Sequence, residues 1–204
     1  MAQEKSLKKL LAERKVDITY DKEGMSQTWL PFDAIEDILG SDKGQNSLRT
    51  ISGDSNKLRT FVSKSKRLWA LLVHVNRLGW LESFCDADFD DSLFPIKRRG
   101  NWDLQSCSSN KIVSMPGKSD DDETAFDSIE DQQWQFFVPI FGPASFACGF
   151  DYHCRMPFIR EFRTEDTNFS AVTELVIHRK HLDFRANNQI VRDISAANCS
   201  RNLC

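Results

Sequence analysis

Apolar side chains recur every three or four residues between positions 54 and 79, more regularly than anywhere else in the chain. The recurring positions are Leu58, Phe61, Val62, Leu68, Trp69, Leu72 and Val75. This is the period of an α-helix with one buried face, and the basic residues between these positions would lie on the solvated face. Short polar residues at 54–56 would cap the start, and Gly79 would supply a left-handed residue at the end. The pattern predicts one long helix over 54–79.

Three weaker patterns surround this segment in the first half of the chain. Residues 5–16 carry leucines among charged residues, which predicts a short amphipathic helix docked on the helical core, with a membrane-surface helix as the alternative. A proline, an apolar face and a closing glycine predict a helix over 31–40. Residues 80–84 predict another short helix, whereas the polar residues 41–53 predict a connector.

Alternation replaces the helical period in the second half. Residues 158–163 and 171–178 alternate apolar and polar side chains, and 189–194 form a shorter segment of the same kind. Such alternation is typical of half-buried strands. These three segments predict a small antiparallel meander.

Acidic residues cluster between the two halves. Residues 119–123 read Ser-Asp-Asp-Asp-Glu, and Asp127, Glu130 and Asp131 follow. A run of like charges predicts a mobile linker over 117–131. The predicted fold class is α+β, with a small helical domain at 1–116 and an antiparallel β region at 132–204 that ends in a disordered tail.

Composition and the first residues limit the classes of partner and the cellular compartments that we expect. The 204 residues carry a net charge of -3, which gives no bulk reason to expect nucleic acid or an anionic membrane as a partner. The first residues do not resemble an export signal, so we expect the cytoplasm or the nucleus, and reduced thiols. The six cysteines are Cys85, Cys107, Cys148, Cys154, Cys199 and Cys204.

Two groups of residues have the chemistry of metal ligands but not the spacing. Aspartates at 86, 88, 90 and 91 lack the glycine and the distal glutamate of a calcium loop, which favours a solvated turn. His178 and His181, with Cys148, His153 and Cys154, do not have the spacing of a zinc knuckle, which favours loop histidines. We therefore predict no catalytic residues and no metal ligands.

Four stretches together resemble a group of fungal proteins in which a helical region precedes a protein-kinase-like domain. They are Asp-Asp-Ser-Leu-Phe-Pro at 90–95, the Trp134 block at 129–141, Met-Pro-Phe-Ile at 156–159 and Asn-Phe-Ser-Ala-Val-Thr-Glu-Leu-Val-Ile-His at 168–178. The resemblance covers most of the chain from about residue 68 onward. It implies that 132–204 is a partial kinase small lobe, with nucleotide-binding positions at Asn168, Ser170, Val172 and Arg192.

The residues at those positions argue against phosphoryl transfer. A kinase phosphate loop needs glycines so that its backbone can approach the triphosphate, but no glycine follows Gly149. Arg192 stands where a kinase has a lysine, and the chain has no His-Arg-Asp loop and no Asp-Phe-Gly motif. We therefore expect a truncated or degenerate, non-catalytic protein without cofactors, which binds another protein.

The alternative is the N-terminal fragment of an active Ser/Thr protein kinase, which would use ATP and magnesium. The sequence does not predict an oligomeric state.

Overall fold

The computed structural model describes residues 2–19, 26–53, 56–100, 102–117, 119–142, 153–166 and 171–183. The protein is of the α+β class. Its helices are α1 (Ala2–Glu13), α2 (Phe32–Gly40), α3 (Asp42–Ser52), α4 (Asn56–Lys64), α5 (Lys66–His74), α6 (Leu81–Asp86) and α7 (Asp120–Gln132). Its strands are β1 (Val16–Thr19), β2 (Ser26–Trp29), β3 (Ile96–Arg98), β4 (Asp103–Ser106), β5 (Ile112–Ser114), β6 (Phe158–Asp166) and β7 (Ala171–Ile177). The strands form three separate antiparallel sheets, β1-β2, β3-β4-β5 and β6-β7.

The first helix docks on the helical core, as predicted. Helix α1 packs against α5, α2 and α3, with Leu7 and Leu11 fully buried. None of the helices in the described ranges is long and apolar enough to cross a membrane.

The predicted long helix over 54–79 is wrong, because the chain forms α4 and α5 with a break at Ser65. The break gives α5 its own N-terminus, whose free amides need an acceptor. Asp91 supplies it: its carboxylate oxygens accept from the N–H of Arg67 at 3.0 Å and of Leu68 at 2.9 Å. The left-handed residue after α5 is Asn76, with φ 56°, rather than Gly79. Asp91 therefore belongs to a partly buried helix cap and not to the predicted solvated turn.

The predicted connector over 41–53 is also wrong, because it contains α3. Ser41 caps this helix by accepting from the N–H of Gly44 at 3.3 Å. The buried face of α3 consists largely of small residues, which lets it approach α2 closely. A Cβ on Gly44 would lie 2.3 Å from the carbonyl oxygen of Ile38. The contact between α2 and α3 therefore requires glycine at position 44, and a search for periodic apolar residues does not detect a glycine.

Helix α7 replaces the linker predicted over 117–131. Ser119 and Asp122 form a reciprocal capping box at its start. The aspartates lie in the first turn, where the free amides and the helix dipole favour negative charge, so they stabilise a helix instead of extending a linker. Ala125, Phe126 and Ile129 are buried in one core cluster that includes residues from Leu7 to Phe136.

The small sheet β3-β4-β5 was not predicted. Leu104 and Val113 face the core, and the buried side chain of Gln133 holds the edge residue Ile96. Gln133 Oε1 accepts from the N–H of Ile96 at 2.7 Å, and its Nε2 donates to the carbonyl of Ile96 at 2.8 Å. A side chain from beyond α7 thus completes the hydrogen bonding of this edge.

The strands predicted over 158–163 and 171–178 are confirmed as β6 and β7, which pair antiparallel from Phe158↔Ile177 to Asp166↔Ala171. The third predicted strand, at 189–194, and the predicted tail lie outside the described residues.

Candidate functional site

Only one of the four predicted nucleotide-binding positions, Val172, lies within the described residues. Asn168, Ser170 and Arg192 lie outside the described residues, and Val172 is described only by its backbone within β7. The described part of this region is the pair of strands that flanks residues 167–170. Those four predictions therefore stay predictions.

His181 lies where the end of β7 meets the part of the chain that contains α1 to α7, which we call the helical half. It is only 1% exposed, and its Nε2 accepts from the N–H of Phe32, at the first residue of α2, at 3.1 Å. Because Nε2 accepts, the proton lies on Nδ1, which donates to the carbonyl of Pro139 at 2.9 Å. Burial lowers the pKa of His181 to about 4, although the bond to Pro139 acts in the opposite direction. The ring is thus a neutral structural group at neutral pH.

The two predicted loop histidines, His178 and His181, lie near each other, and both contact the ring of Trp29. The centroids of the His178 and His181 rings are 5.8 Å apart, and both rings pack edge-on against Trp29. Within the described ranges, no group of three His, Cys, Asp or Glu side chains is placed to hold a metal ion. Both nitrogens of His181 are already bonded to backbone, which leaves none for a metal.

A groove of about 300 Å³ lies between α2, α3, α4 and the first residue of α5, and we call it the α2–α4 groove. It is lined by Glu36, Leu39, Gly40, Gln45, Leu48, Arg49, Arg59, Ser63 and Lys66. The two leucines form the floor and are held by the core behind them. A Cβ on Gly40 would meet nothing within 4 Å, so the groove is open at the end of α2.

The rim of the α2–α4 groove is basic. Lys66 Nζ lies 2.5 Å from Glu36 Oε1, so its charge is balanced. Arg49 donates to the neutral side-chain oxygen of Asn46 at 3.5 Å, and Arg59 donates to neutral oxygens of Ser52 and Gly53 at 3.4 Å. Neither arginine has an ion pair with another described residue. The sequence indicated Arg59 and Lys66 only as part of a solvated basic face and placed Arg49 in a polar connector, because it did not predict that α3 would lie beside α4.

A second groove, of about 550 Å³, lies between α1, the end of α5 and α7, and we call it the His74 groove. His74 Nε2 donates to Gln132 Oε1 at 3.1 Å, and the same oxygen accepts from Gln135 at 2.8 Å. Lys15 Nζ in turn donates to Gln135 Oε1 at 2.6 Å. Burial, reinforced by the nearby charge of Lys15, lowers the pKa of His74 to about 4. His74 is therefore a weak base. The hydrogen bonds through Gln132 and Gln135 link α5, α7 and Lys15, and they do not activate a nucleophile.

No family model matches the chain, and neither a curated protein nor a solved structure matches it. The resemblance to fungal kinase-like proteins therefore remains a prediction from the sequence, and the function has to be argued from the geometry described above.

Proposed function

We propose that the chain is a non-catalytic protein-interaction module of the cytoplasm or nucleus, whose helical half holds a segment of another protein in the α2–α4 groove. The observation that carries this proposal is the combination of a leucine floor with two arginines that lack a carboxylate partner among the described residues. Concave sites with an apolar floor and a few polar groups at the edge are the usual form of binding sites.

The rigidity of the floor supports the same proposal. Leu39 and Leu48 belong to the core cluster, so the groove exists before a partner arrives. A pre-formed site loses less conformational freedom on binding, and more of its contact energy appears as affinity.

A tryptophan at Gly40 provides a steric test, because Gly40 lines the groove and a Cβ there meets nothing within 4 Å. The full chain is immobilised and incubated with cell extract, and the retained proteins are quantified by mass spectrometry. Gly79→Trp is the matched control, since a Cβ there also meets nothing within 4 Å and Gly79 does not line the groove. We expect partners that wild type and Gly79→Trp retain and that Gly40→Trp loses. Equal retention by the two variants would refute the proposal, and circular dichroism verifies that both are folded.

The second candidate function is that of an N-terminal part of an ATP-dependent Ser/Thr protein kinase. The observation that favours it is the antiparallel pairing of β6 and β7 around residues 167–170, where the resemblance expects a phosphate loop. A thermal-shift titration with magnesium and ATP tests this candidate, because a ligand that binds the native state raises the melting temperature. We expect no shift. A saturable shift that disappears in Arg192→Ala, or transfer of labelled phosphate to a protein, would favour the kinase over the non-catalytic module.

A further inference from the structure

We infer that the segment held in the α2–α4 groove is an acidic amphipathic helix, with carboxylates for Arg49 and Arg59 and apolar side chains for the leucine floor. This inference rests on the proposed function and adds the chemistry of the partner. It follows from the charge of the groove, the bonding of its two arginines and the shape of its floor.

The charge of the groove is opposite to that of the chain. Its lining has three cationic side chains and one carboxylate, a net charge of plus two, whereas the whole chain carries -3. The one carboxylate, on Glu36, is already paired with Lys66 at 2.5 Å. Among the described residues, the uncompensated positive charge is therefore on Arg49 and Arg59, and it favours a negatively charged partner.

The bonding of the two arginines leaves capacity for that partner. Their contacts with neutral oxygens are 3.4 to 3.5 Å long, beyond the usual hydrogen-bond distance. A guanidinium binds a carboxylate through a short pair of parallel bonds, which are about twice as strong as bonds to a neutral acceptor. A partner carboxylate would thus replace weak contacts with strong ones.

The floor selects apolar side chains on the same segment. Leu39 and Leu48 lie beneath the groove, and the open space at Gly40 admits a side chain from outside. An amphipathic helix presents apolar and acidic residues side by side at three- and four-residue spacing. The His74 groove lacks this selectivity, because its lining mixes Lys8 and Arg77 with Asp121.

The test uses three fluorescein-labelled peptides of about 16 residues, which is the length at which a helix becomes stable enough to form. The first has leucines four residues apart and glutamates on the flanking positions. The second replaces every glutamate with lysine, and the third replaces every leucine with serine. Fluorescence anisotropy with the full chain measures each Kd. We expect the first peptide to bind at least about tenfold more tightly than either of the others.

Two variants with the same change in charge locate the site. Arg49→Glu with Arg59→Glu reverses the groove, whereas Lys97→Glu with Arg99→Glu makes the same change at exposed positions outside it. We expect the first pair to weaken the acidic peptide at least about tenfold and the second pair to change the Kd less than about twofold. Higher salt should weaken binding in the wild type, because it screens exposed charges.

Several outcomes would overturn the inference. Equal binding of the three peptides would remove the selectivity, and an equal loss in both double variants would show a general charge effect. Displacement of the peptide by inorganic phosphate at matched ionic strength would indicate a simple anion site. Sedimentation analysis tests whether a second copy of the chain occupies the groove through the acidic first turn of α7. Self-association of the wild type that is lost in Arg49→Glu with Arg59→Glu would show this.

These results separate the inference from the proposed function. If Gly40→Trp loses its partners but the acidic peptide shows no preference, the module stands and the chemistry of its partner is wrong. If Gly40→Trp retains every partner of the wild type, the proposed function itself fails.

Discussion

The helical half and the β6-β7 pair are stabilised by different kinds of contact. The helical half is built around large aromatic side chains that are fully buried, among them Trp69, Phe84 and Phe126. The β6-β7 pair joins it through hydrogen bonds to backbone, made by His181 and Gln27 in the part of the chain that the structure describes, and through the edge-on packing of His178 and His181 against Trp29. On β6, Ile159 remains 45% exposed.

Because of this difference, we expect apolar burial to determine the stability of the helical half, and hydrogen bonds to determine how β6-β7 is held against it. Burial of an apolar side chain is non-directional and contributes roughly 1.5 to 3 kcal/mol for each large residue. A hydrogen bond contributes about 1 kcal/mol net, but it fixes a distance and an orientation. We therefore expect changes in the helical core to unfold the protein, and changes at the junction to loosen β6-β7 first.

The largest effect is expected for Trp69→Ala in α5. Removing this fully buried ring should lower the free energy of unfolding by about 3 to 5 kcal/mol, because it leaves a cavity that the core fills only in part. Urea denaturation measures the change. Ile159→Ala on β6 is the control and should change the free energy of unfolding by less than about 0.5 kcal/mol. Similar losses in the two variants would mean that the contrast between the regions does not exist.

A smaller effect is expected from acid at the junction. The pKa of His181 is about 4 in the folded chain and about 6.5 when unfolded, so the unfolded state binds more protons between these values. Its contribution to stability is complete above pH 6.5 and is lost as the pH falls through 4. The shift corresponds to about 3 kcal/mol over this window. Urea denaturation at a series of pH values measures the loss.

Among the described residues, His74 and Asp91 also have shifted pKa values in this window, so the control is a variant. The lowered pKa of His74 adds to the acid sensitivity. Burial raises the pKa of Asp91 to about 6, against the bonds from the α5 amides, and this makes stability fall as the pH rises from 3.8 to 6. His181→Gln keeps both groups and removes only the His181 contribution, so its stability should depend less on pH than that of the wild type. Identical pH profiles would contradict the assignment.

The sequence predicted the elements whose signal is local. The apolar face of α1, the proline and glycine that bound α2, and the alternation in β6 and β7 can all be recognised within a few residues. The break at Ser65 could not be predicted, because the acceptor that makes it possible is Asp91, far along the chain. Helix α3 was missed for a similar reason, since its small buried residues are selected by the approach of α2.

The acidic residues of α7 show how one pattern has two physical outcomes. A run of aspartates repels itself in an extended chain, but the same charges stabilise the first turn of a helix. The burial of Phe126 and Ile129 favours the helix over the extended chain. Two apolar residues within one helical turn were too few to indicate a helix from the sequence. The α2–α4 groove was missed because its two arginines come from different helices, and only the fold brings them together.

The smallest effect is expected for Gln27→Ala, the other polar contact of the junction. Gln27 Nε2 donates to the carbonyl of Met156 at 3.2 Å, and its Oε1 accepts from the N–H of Met156 at 3.3 Å. Losing both bonds should cost about 1 kcal/mol of unfolding free energy, since each is long. Hydrogen exchange gives the sharper measurement: amides of β6 and β7 should exchange faster, while those of α5 keep their protection. Ser26→Ala, on an exposed position of the same strand, is the control and should change neither. Faster exchange in α5 as well would mean that Gln27 stabilises the whole fold, and that the junction is not a separate, weaker unit.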